Sequence, residues 1–478
     1  MLATLLAAVT FARPNVVLVL VDDMGWQDTS LAFGLREKVT GRQFRTPNLE
    51  KLARRGLSVN QAYSSCPVCT PSRAALLSGV HPARSNILSW VQAGGETEET
   101  YPGLVNPKWK YEGFQPGDAV TLPELFRAAG YHTVQVGKAH FGSARTAGAD
   151  PKNLGFDRSI GGAAAGHPSS YYGTDNFAGK TGKPAHNDVP DLEAYHGKDI
   201  FLEEALALEA GKEIEATAKA GKPLFLWFSP YAVHTPIMAN KRLVGRYKNL
   251  DPAEAAYATL VESVDNALGS LVASLKKVGQ LDNTYIIFTS DNGGLSMAAR
   301  GGYLNLHNLP LRSGKGAAYE GGTRVPLVFA GPGIPRGKEL KTTWMTGTDL
   351  SFTLADLAGI TPRASDGSSY ASQIRSGTDE ARTAPAVWHF PLYRGGGGPG
   401  LEPFSSIRLG DFKAIFFYGD RRWELYNLKA DIGETRDVSK TQPAKLRELA
   451  DRLVVELDRL GAKYPRDAKT GQEVRPRL

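Results

Sequence analysis

The sequence predicts an α/β fold: a large, mostly parallel sheet flanked by helices, followed by a small C-terminal antiparallel sheet with a helix. Three observations support this prediction. Runs of apolar and β-branched residues alternate with helical patterns along most of the 478 residues, as in parallel sheets whose strands are buried on both faces. Several of these runs end in polar clusters, where α/β folds bind ligands. After about residue 380, short strands with tight turns replace the alternation.

The first predicted strand is the run RPNVVLVLV, which ends in Asp22 and Asp23. A helix follows in TPNLEKLARRG, with Pro47 at its first position and Gly56 beyond its end. These two elements begin the alternation of strand and helix.

The same signals predict the middle of the chain. A helix is expected from about Leu122 to Ala129, and a strand from about His132 to Val136. PLFLWFS and TYIIFTS are further apolar strands, separated by a long amphipathic helix over residues 252–278, and VPLVFAGPG contains one more.

The C-terminal part of the chain has a different pattern. AVWHFPLY, FSSIRLGDFKAIFFYG and RRWELYNL predict an antiparallel sheet, closed by a helix at about 442–461. We therefore expect a catalytic domain over residues 13–380 and a C-terminal subdomain over residues 381–478.

Residues 1–12, MLATLLAAVTFA, form a candidate signal peptide, although they lack a basic n-region. With it, we expect export to the periplasm or the extracellular space; without it, the protein would be cytoplasmic. No apolar stretch reaches the roughly 18 residues that span a bilayer, so no stable membrane insertion is expected. The net charge of +7 is spread without a long basic run, which does not favour nucleic-acid binding.

Polar side chains gather where predicted strands end. Asp22-Asp23 and Asp291-Asn292 supply oxygen donors, and Lys138 with His140, and His234, follow two other strands. Oxygen donors without cysteine or histidine suit Ca²⁺ or Mg²⁺. Adjacent acids after one strand are often only a cap or a turn, but two such pairs at one sheet edge would repel each other without a cation.

The chain has two cysteines, and both lie in CPVCTPSRAALLSG. C-x-x-C can be a redox pair or half of a zinc site. A structural zinc site normally has four Cys or His ligands, and the sequence contains no second C-x-x-C. A redox pair of the thioredoxin kind lies in a much shorter chain, so neither interpretation is favoured. The third interpretation is that only Cys69 matters, in the context Cys69-Thr-Pro-Ser-Arg73.

The motifs resemble those of type I sulfatases, which belong to the alkaline phosphatase superfamily. The matching segments occur in the family's order and cover nearly the whole chain: VDDMGW, CTPSRAALLSG, GKAHFG, HTP, SDNGG, LRSGKGAAYEGGTRVP and ELYNLKADIGE. The closing segments WHFP and LYNL are similar to those of bacterial sulfatases that act on polysaccharides. The resemblance implies hydrolysis of a sulfate ester, with a sulfated carbohydrate as substrate.

The resemblance also implies a modified residue. Cys69, and not Cys66, would be oxidised after translation to Cα-formylglycine by a maturation enzyme that recognises Pro71 and Arg73. The aldehyde hydrates to a diol; one hydroxyl attacks sulfur, and the other later expels sulfate. A plain thiol or hydroxyl would lack that second hydroxyl.

The family pattern assigns further roles by position. The implied ligands of Ca²⁺, with Mg²⁺ as the second choice, are Asp22, Asp23, Asp291, Asn292 and the modified Cys69. Arg73 and Lys138 would fix the diol and the anion, and His140 would take the proton that starts sulfate release. His234 and Lys315 would bind sulfate and protonate the departing sugar oxygen.

Some expectations rest on weaker signals. His389 and Arg394 of the C-terminal subdomain could line the sugar pocket, and Glu320 is expected to pair with Arg324. Ala139 stands where the family often has Trp, which leaves substrate size open. Two alternatives also stay open: a phosphonate or phosphodiester hydrolase of the same superfamily, and an unmodified, non-catalytic binding protein.

Overall fold

The computed structural model describes residues 13–34, 44–91, 99–179, 185–300, 305–361, 366–393, 395 and 397–478. The candidate signal peptide over residues 1–12 lies outside these residues. The strands are, in chain order, β1 (Asn15–Val21), β2 (Leu57–Tyr63), β3 (Leu104–Val105), β4 (His132–Gly137), β5 (Arg158–Ile160), β6 (Leu224–Ser229), β7 (Thr284–Ser290), β8 (Arg324–Val325), β9 (Leu327–Ala330), β10 (Lys338–Met345), β11 (Ala386–Phe390), β12 (Phe404–Leu409), β13 (Phe412–Phe417), β14 (Arg422–Asn427) and β15 (Arg466–Asp467). The α-helices are α1 (Pro47–Arg55), α2 (Cys69–Ser78), α3 (Pro82–Ser85), α4 (Leu122–Ala128), α5 (Leu202–Lys219), α6 (Pro252–Lys277), α7 (Glu320–Thr323), α8 (Gly347–Leu357), α9 (Ala371–Ser376) and α10 (Pro443–Leu460).

Nine strands of the described chain form the large sheet, in the order β10-β2-β9-β7-β1-β6-β4-β5, with β8 also paired to β2. Strands β7, β1, β6, β4 and β5 run parallel to one another, whereas β9 is antiparallel to both β7 and β2. The predicted mostly parallel sheet is confirmed. The carboxyl ends of its central strands therefore lie side by side.

Strand β1 is buried along its whole length because helices cover both faces of the sheet. Val17, Val19 and Val21 pack into a core with residues of α5 and α6. The alternate residues of the strand pack into a second core with residues of α2, α4 and α8. This two-sided burial explains the continuous apolar run, because a half-exposed strand would alternate with polar residues.

Several predicted bounds agree closely with the structure. The long helix expected over residues 252–278 is α6, Pro252–Lys277, and the helix expected at about 442–461 is α10, Pro443–Leu460. Helix α1 begins at Pro47 and is followed by Gly56, as predicted. No helix in the described part of the chain is long and apolar enough to cross a membrane.

The C-terminal strands form an antiparallel sheet in the order β11-β12-β13-β14. One face packs on α10, with Leu449, Leu453 and Leu457 against residues such as Ile407. The other face packs on the main body of the protein, where Trp388 joins a cluster with Tyr63, Cys66 and Trp344. The two faces of this sheet therefore have different neighbours.

Candidate active site

Four oxygen-bearing side chains meet at the carboxyl ends of β1 and β7. The pairing of Val21 with Ser290 places Asp22-Asp23 beside Asp291-Asn292. The Asp23 backbone N–H donates to Asp291 Oδ1 at 3.2 Å, and Asn292 Nδ2 donates to Asp23 Oδ1 at 2.8 Å. All four side chains are buried. The structure thus brings the two predicted pairs together.

Three cations surround these carboxylates. Arg73 Nε donates to Asp291 Oδ2 at 2.7 Å, Lys138 Nζ to Asp22 Oδ2 at 2.7 Å, and Lys315 Nζ to Asp23 Oδ2 at 2.8 Å. Arg73 reaches the cluster from α2, Lys138 follows β4, and Lys315 comes from the loop before α7. Three carboxylates and three cations balance in formal charge before anything binds.

Cys69 is the first residue of α2, and its Sγ lies 3.8 Å from Asp22 Oδ1 and 4.0 Å from Asp23 Oδ1. Burial raises the pKa of its thiol to about 11, so the unmodified cysteine is a poor nucleophile at neutral pH. Cys66 packs in an apolar cluster, and both cysteines are free thiols. The C-x-x-C pair is therefore not a disulfide, and only Cys69 contacts the carboxylates.

His140 is buried, and its Nε2 lies 2.9 Å from the carbonyl oxygen of Val91. Because a carbonyl only accepts, Nε2 carries the proton and Nδ1 holds a lone pair; Nδ1 has no hydrogen-bond partner among the described residues. Burial, followed by the charge of Lys138, holds the pKa of His140 well below its usual range. A neutral imidazole with a free ring nitrogen is suited to accept a proton.

His234 lies on the solvent-accessible side of the site. Its side chain is 16% exposed, and its Nε2 lies 3.5 Å from Asp23 Oδ2. Burial and the nearby Lys315 hold the pKa of His234 well below its usual range. The ring stacks on His167, with centroids 5.6 Å apart and planes 9° from parallel.

The charges of the carboxylates respond to their surroundings in two ways. Burial raises the pKa of Asp22 and Asp291, and this increase is only partly opposed by Lys138 and Arg73, respectively. For Asp23, Lys315 and His234 outweigh burial and hold the pKa below its usual range. Raised carboxyl pKa values at one sheet edge indicate that more positive charge could be accommodated there.

A divalent cation fits this donor set. The carboxylate, thiol and imidazole ligand atoms of Asp22, Asp23, Cys69 and His234 all lie within 4.8 Å of one another. Asn292 Oδ1 is buried and makes no hydrogen bond within the described ranges, although buried amide oxygens usually do. Carboxylate and amide oxygens suit a hard cation such as Ca²⁺ or Mg²⁺. The residues present are therefore suited to hold such an ion.

The remaining predicted residues lie elsewhere. His389 is on β11, on the face opposite Trp388, with its Nδ1 2.7 Å from Ser405 Oγ and its Nε2 2.9 Å from the Lys463 carbonyl oxygen. Strand alternation turns it toward the α10 side, and the sugar contact of His389 stays a prediction. Arg394 lies outside the described residues. The expected Glu320–Arg324 pair is present, with 3.3 Å between Oε2 and Nη1.

The sequence did not indicate two residues at the site. Ser229 Oγ accepts from Arg73 Nη1 at 2.8 Å and donates to the Leu20 carbonyl at 2.9 Å, so it orients Arg73. His167 supports His234 from a segment of Gly, Ala and Ser. The only available signals were the end of an apolar strand for Ser229 and an isolated histidine for His167, and neither is specific.

The fold and the site define the class. A parallel sheet with carboxylates, cations and a C-x-P-S-R cysteine at its carboxyl edge is the arrangement of a sulfatase of the alkaline phosphatase superfamily. The family model described as sulfatase matches residues 14–360, and a model described as N-sulphoglucosamine sulphohydrolase, C-terminal, matches residues 314–463. The chain belongs to the sulfatase family.

Individual proteins to which the chain is similar are also sulfatases. A sulfatase of Formosa agariphila is 30% identical, covering 91% of this chain and 86% of that protein. Human N-acetylgalactosamine-6-sulfatase is 30% identical, covering 89% of this chain and 76% of that protein. The crystal structure of Ps i-CgsB in complex with k-i-k-neocarrahexaose is 27% identical, with a TM-score of 0.74 and 93% of each chain covered. The protein is a sulfuric ester hydrolase.

Proposed function

We propose that this protein hydrolyses sulfate esters of a carbohydrate, using a formylglycine at position 69 and a Ca²⁺ ion. One observation carries the proposal: Cys69 begins α2 within 4.0 Å of Asp22 and Asp23, in a cluster that also holds three cations. Cysteine itself is a poor nucleophile there because burial raises its pKa. A modified residue is the better explanation of its position.

The chemistry of the two added groups follows from the site. Oxidised and hydrated, residue 69 would present one hydroxyl to attack sulfur and a second to release sulfate. A divalent cation held by Asp22, Asp23, Asp291 and Asn292 would act as a Lewis acid that lowers the pKa of a hydroxyl and neutralises a sulfate oxygen. The formal charge of the cluster would then be +2, which attracts an anionic ester.

The chain's own side chains provide the rest. Arg73 and Lys138 hold the carboxylates in place and contribute positive charge where a transferring sulfuryl group is negative. His140 Nδ1 accepts a proton when sulfate is released. His234, which is partly exposed, and the buried Lys315 bind the ester oxygens and protonate the leaving sugar oxygen.

The substrate class is supported by the relatives. N-acetylgalactosamine-6-sulfatase is named for a sulfated sugar, and the crystallised relative binds k-i-k-neocarrahexaose. Both resemble this chain over most of their length. We therefore propose a sulfated saccharide as the substrate and a formylglycine-generating enzyme of the host as the maturation partner.

The test combines mass spectrometry with a substrate panel. The peptide that contains residue 69, from protein made in its native host, is expected to carry the aldehyde. The panel comprises an aryl sulfate, N-acetylgalactosamine 6-sulfate, carrageenan oligosaccharides, a phosphodiester and a phosphonate, and the sulfated sugars should be the best substrates. A residue 69 that remains a thiol, with no sulfate released from any substrate, would favour a binding protein. Preference for the phosphodiester or the phosphonate would contradict the proposed substrate class.

A further inference from the structure

Three loops that build the site meet at one buried side chain, Asn308. They are the loops that carry Asp23, Asn292 and Lys315. Asn308 is 1% exposed and has no role in the chemistry described above. Its contacts nevertheless connect the cation ligands to Lys315.

The amide nitrogen of Asn308 joins two of the loops. Nδ2 donates to the Gly294 carbonyl at 3.0 Å and to the Ser313 carbonyl at 2.8 Å. The backbone N–H of Lys315 donates to the same Gly294 carbonyl at 3.0 Å. Because both carbonyls can only accept, the nitrogen of the amide must face them, which fixes the orientation of the side chain.

Glycines on all three loops make room for the amide. A Cβ at Gly25 would lie 2.4 Å from Asn308 Oδ1, and a Cβ at Gly294 would lie 2.5 Å from it. A Cβ at Gly314 would lie 2.6 Å from Nδ2. Gly25 follows Asp23 by two residues, so the contact reaches the β1 loop as well. No larger residue at these positions would leave space for the amide.

Asn308 Oδ1 has no hydrogen-bond partner in the described part of the chain, although it is buried. A buried acceptor without a donor is unfavourable, and an apolar residue would avoid that cost. The side chain is therefore not explained by packing alone. Its two donated hydrogen bonds are the contribution that an apolar residue could not replace.

We propose that Asn308 is a positioning residue that sets the distance between the cation ligands and Lys315. The inference rests on the proposed function. Lys315 Nζ lies 2.8 Å from Asp23 Oδ2, and this separation depends on how the loop of Gly294 and the loop of Ser313 are joined. Without the amide, the Asn308 hydrogen bond to the Gly294 carbonyl is lost while the Lys315 backbone hydrogen bond to Gly294 remains, and Lys315 moves relative to Asp23 and Asn292.

The test measures Ca²⁺ binding and a double-mutant cycle. After chelation, Asn308→Ala should bind Ca²⁺ about 10–100-fold more weakly than wild type by calorimetric titration, as is usual when a residue that orients metal ligands is removed. With Ca²⁺ at saturating concentration, turnover of nitrophenyl sulfate should fall by a similar factor in the wild-type background, because Lys315 is displaced. In a Lys315→Ala background, the same substitution should cost less than about threefold, because residues that act through one another are not additive.

The control is Asn240→Ala, another buried asparagine, whose Nδ2 donates to Ser263 Oγ at 3.1 Å. It should leave Ca²⁺ affinity unchanged, and its effect should be additive with Lys315→Ala. Circular dichroism and thermal melting check folding, and Asn308→Asp, which keeps the size but loses both donors, replaces Asn308→Ala if that variant does not fold.

Two results would overturn the inference: Ca²⁺ affinity within twofold of wild type, or costs that add in full in the Lys315→Ala background. Failure of the proposed function looks different. If wild-type protein binds no Ca²⁺ and Lys315→Ala does not lower its turnover of sulfate esters, the proposed function is wrong, and this inference is wrong with it.

Discussion

Two buried charge clusters in this protein use the same residue types for different ends. The site cluster is formed by Asp22, Asp23, Asp291, Arg73, Lys138 and Lys315. The linking cluster, which joins the C-terminal sheet to the main body, is formed by Glu320, Glu434, Lys413 and Arg324. Both sets are largely excluded from water, yet only the first has the features of an active site.

The linking cluster places a cation between its carboxylates. Lys413 Nζ lies 3.1 Å from Glu320 Oε1 and 3.0 Å from Glu434 Oε1. Glu434 Oε2 accepts from the Glu320 backbone N–H at 2.6 Å, and Tyr63 donates to Glu320 Oε2 at 2.7 Å. The result is a closed network between β13 and α7, suited to hold two parts of the fold together.

In the site cluster, by contrast, two carboxylates point toward the same atom, Cys69 Sγ. Asp22 and Asp23 both face the Cys69 thiol, an amide oxygen of Asn292 is unpaired within the described ranges, and His234 connects the cluster to solvent. Two residues of the active site also carry backbone strain: Asp23 of the cluster and the nearby His140 adopt left-handed φ angles of 57° and 55°. Convergence and access, rather than charge itself, distinguish a site from a structural network.

The largest expected effect is at Cys69. Cys69→Ala should lower turnover by about 10⁴-fold or more, the scale seen when a nucleophile is removed, with little change in melting temperature because the contacts of the thiol with Asp22 and Asp23 are long. Cys66→Ser is the matched control and should keep most activity. If Cys66→Ser were as inactive as Cys69→Ala while the aldehyde still formed, the single-cysteine interpretation would be wrong.

The next prediction compares a substitution in the site cluster with one in the linking cluster, by their effects on Ca²⁺ affinity and on stability. Asp22→Asn should weaken Ca²⁺ binding by about a hundredfold, because ligand charge sets affinity, and activity should fall with it. Lys413→Met should instead lower the free energy of unfolding by about 3–5 kcal/mol, since it leaves buried carboxylates without their cation. Its Ca²⁺ affinity, measured by calorimetry, and its turnover per folded molecule should match wild type. Loss of Ca²⁺ by Lys413→Met would show that the two clusters are not separate.

The third prediction concerns His234, the partly exposed residue beside the site cluster, and its proposed role as general acid. General acid catalysis contributes roughly 10²–10⁴-fold, and more for a basic leaving group. His234→Ala should therefore slow hydrolysis of a sulfated sugar by that factor and hydrolysis of nitrophenyl sulfate far less, since nitrophenol leaves without a proton. The measurement is kcat on both substrates. Equal losses would mean that His234 only binds sulfate, and Lys315 would become the preferred acid.

The parts of the site that the sequence predicts are those set by strand ends. Asp22-Asp23 and Asp291-Asn292 follow apolar runs, and parallel strands bring such ends together. Contacts that depend on the packing of loops could not be predicted, such as Asn308 beneath three glycines or His167 stacked on His234. The direction of the His389 side chain could not be predicted either, because it depends on which face of β11 meets α10.

Glu203 is a buried carboxyl outside both clusters, and it shows what happens without a cation. It lies at the start of α5, and its Oε1 accepts from the Ala232 backbone N–H at 2.9 Å, in the loop that leads to His234. No ion pair to Glu203 occurs among the residues that the structure describes. Burial raises its pKa to about 7, whereas in the two clusters cations oppose that effect: they offset part of it at Asp22 and outweigh it at Glu320, whose pKa falls to about 2.

The smallest expected effect follows from this pKa. A raised carboxyl pKa means that the unfolded chain releases its proton first, so stability falls as pH rises from about 4.5 to about 7. The shift corresponds to about 3 kcal/mol for wild type. Glu203→Gln keeps an acceptor for the Ala232 N–H but does not titrate, so its free energy of unfolding should not fall with pH through this group. Urea unfolding of both proteins at pH 5 and pH 8, in constant excess Ca²⁺, should show wild type losing about 2.5 kcal/mol more than the variant, since part of the loss has already occurred at pH 5. The same pH dependence in both proteins would mean that Glu203 is ionised at pH 5 already, and that a buried carboxyl in this fold needs no cation to carry its charge.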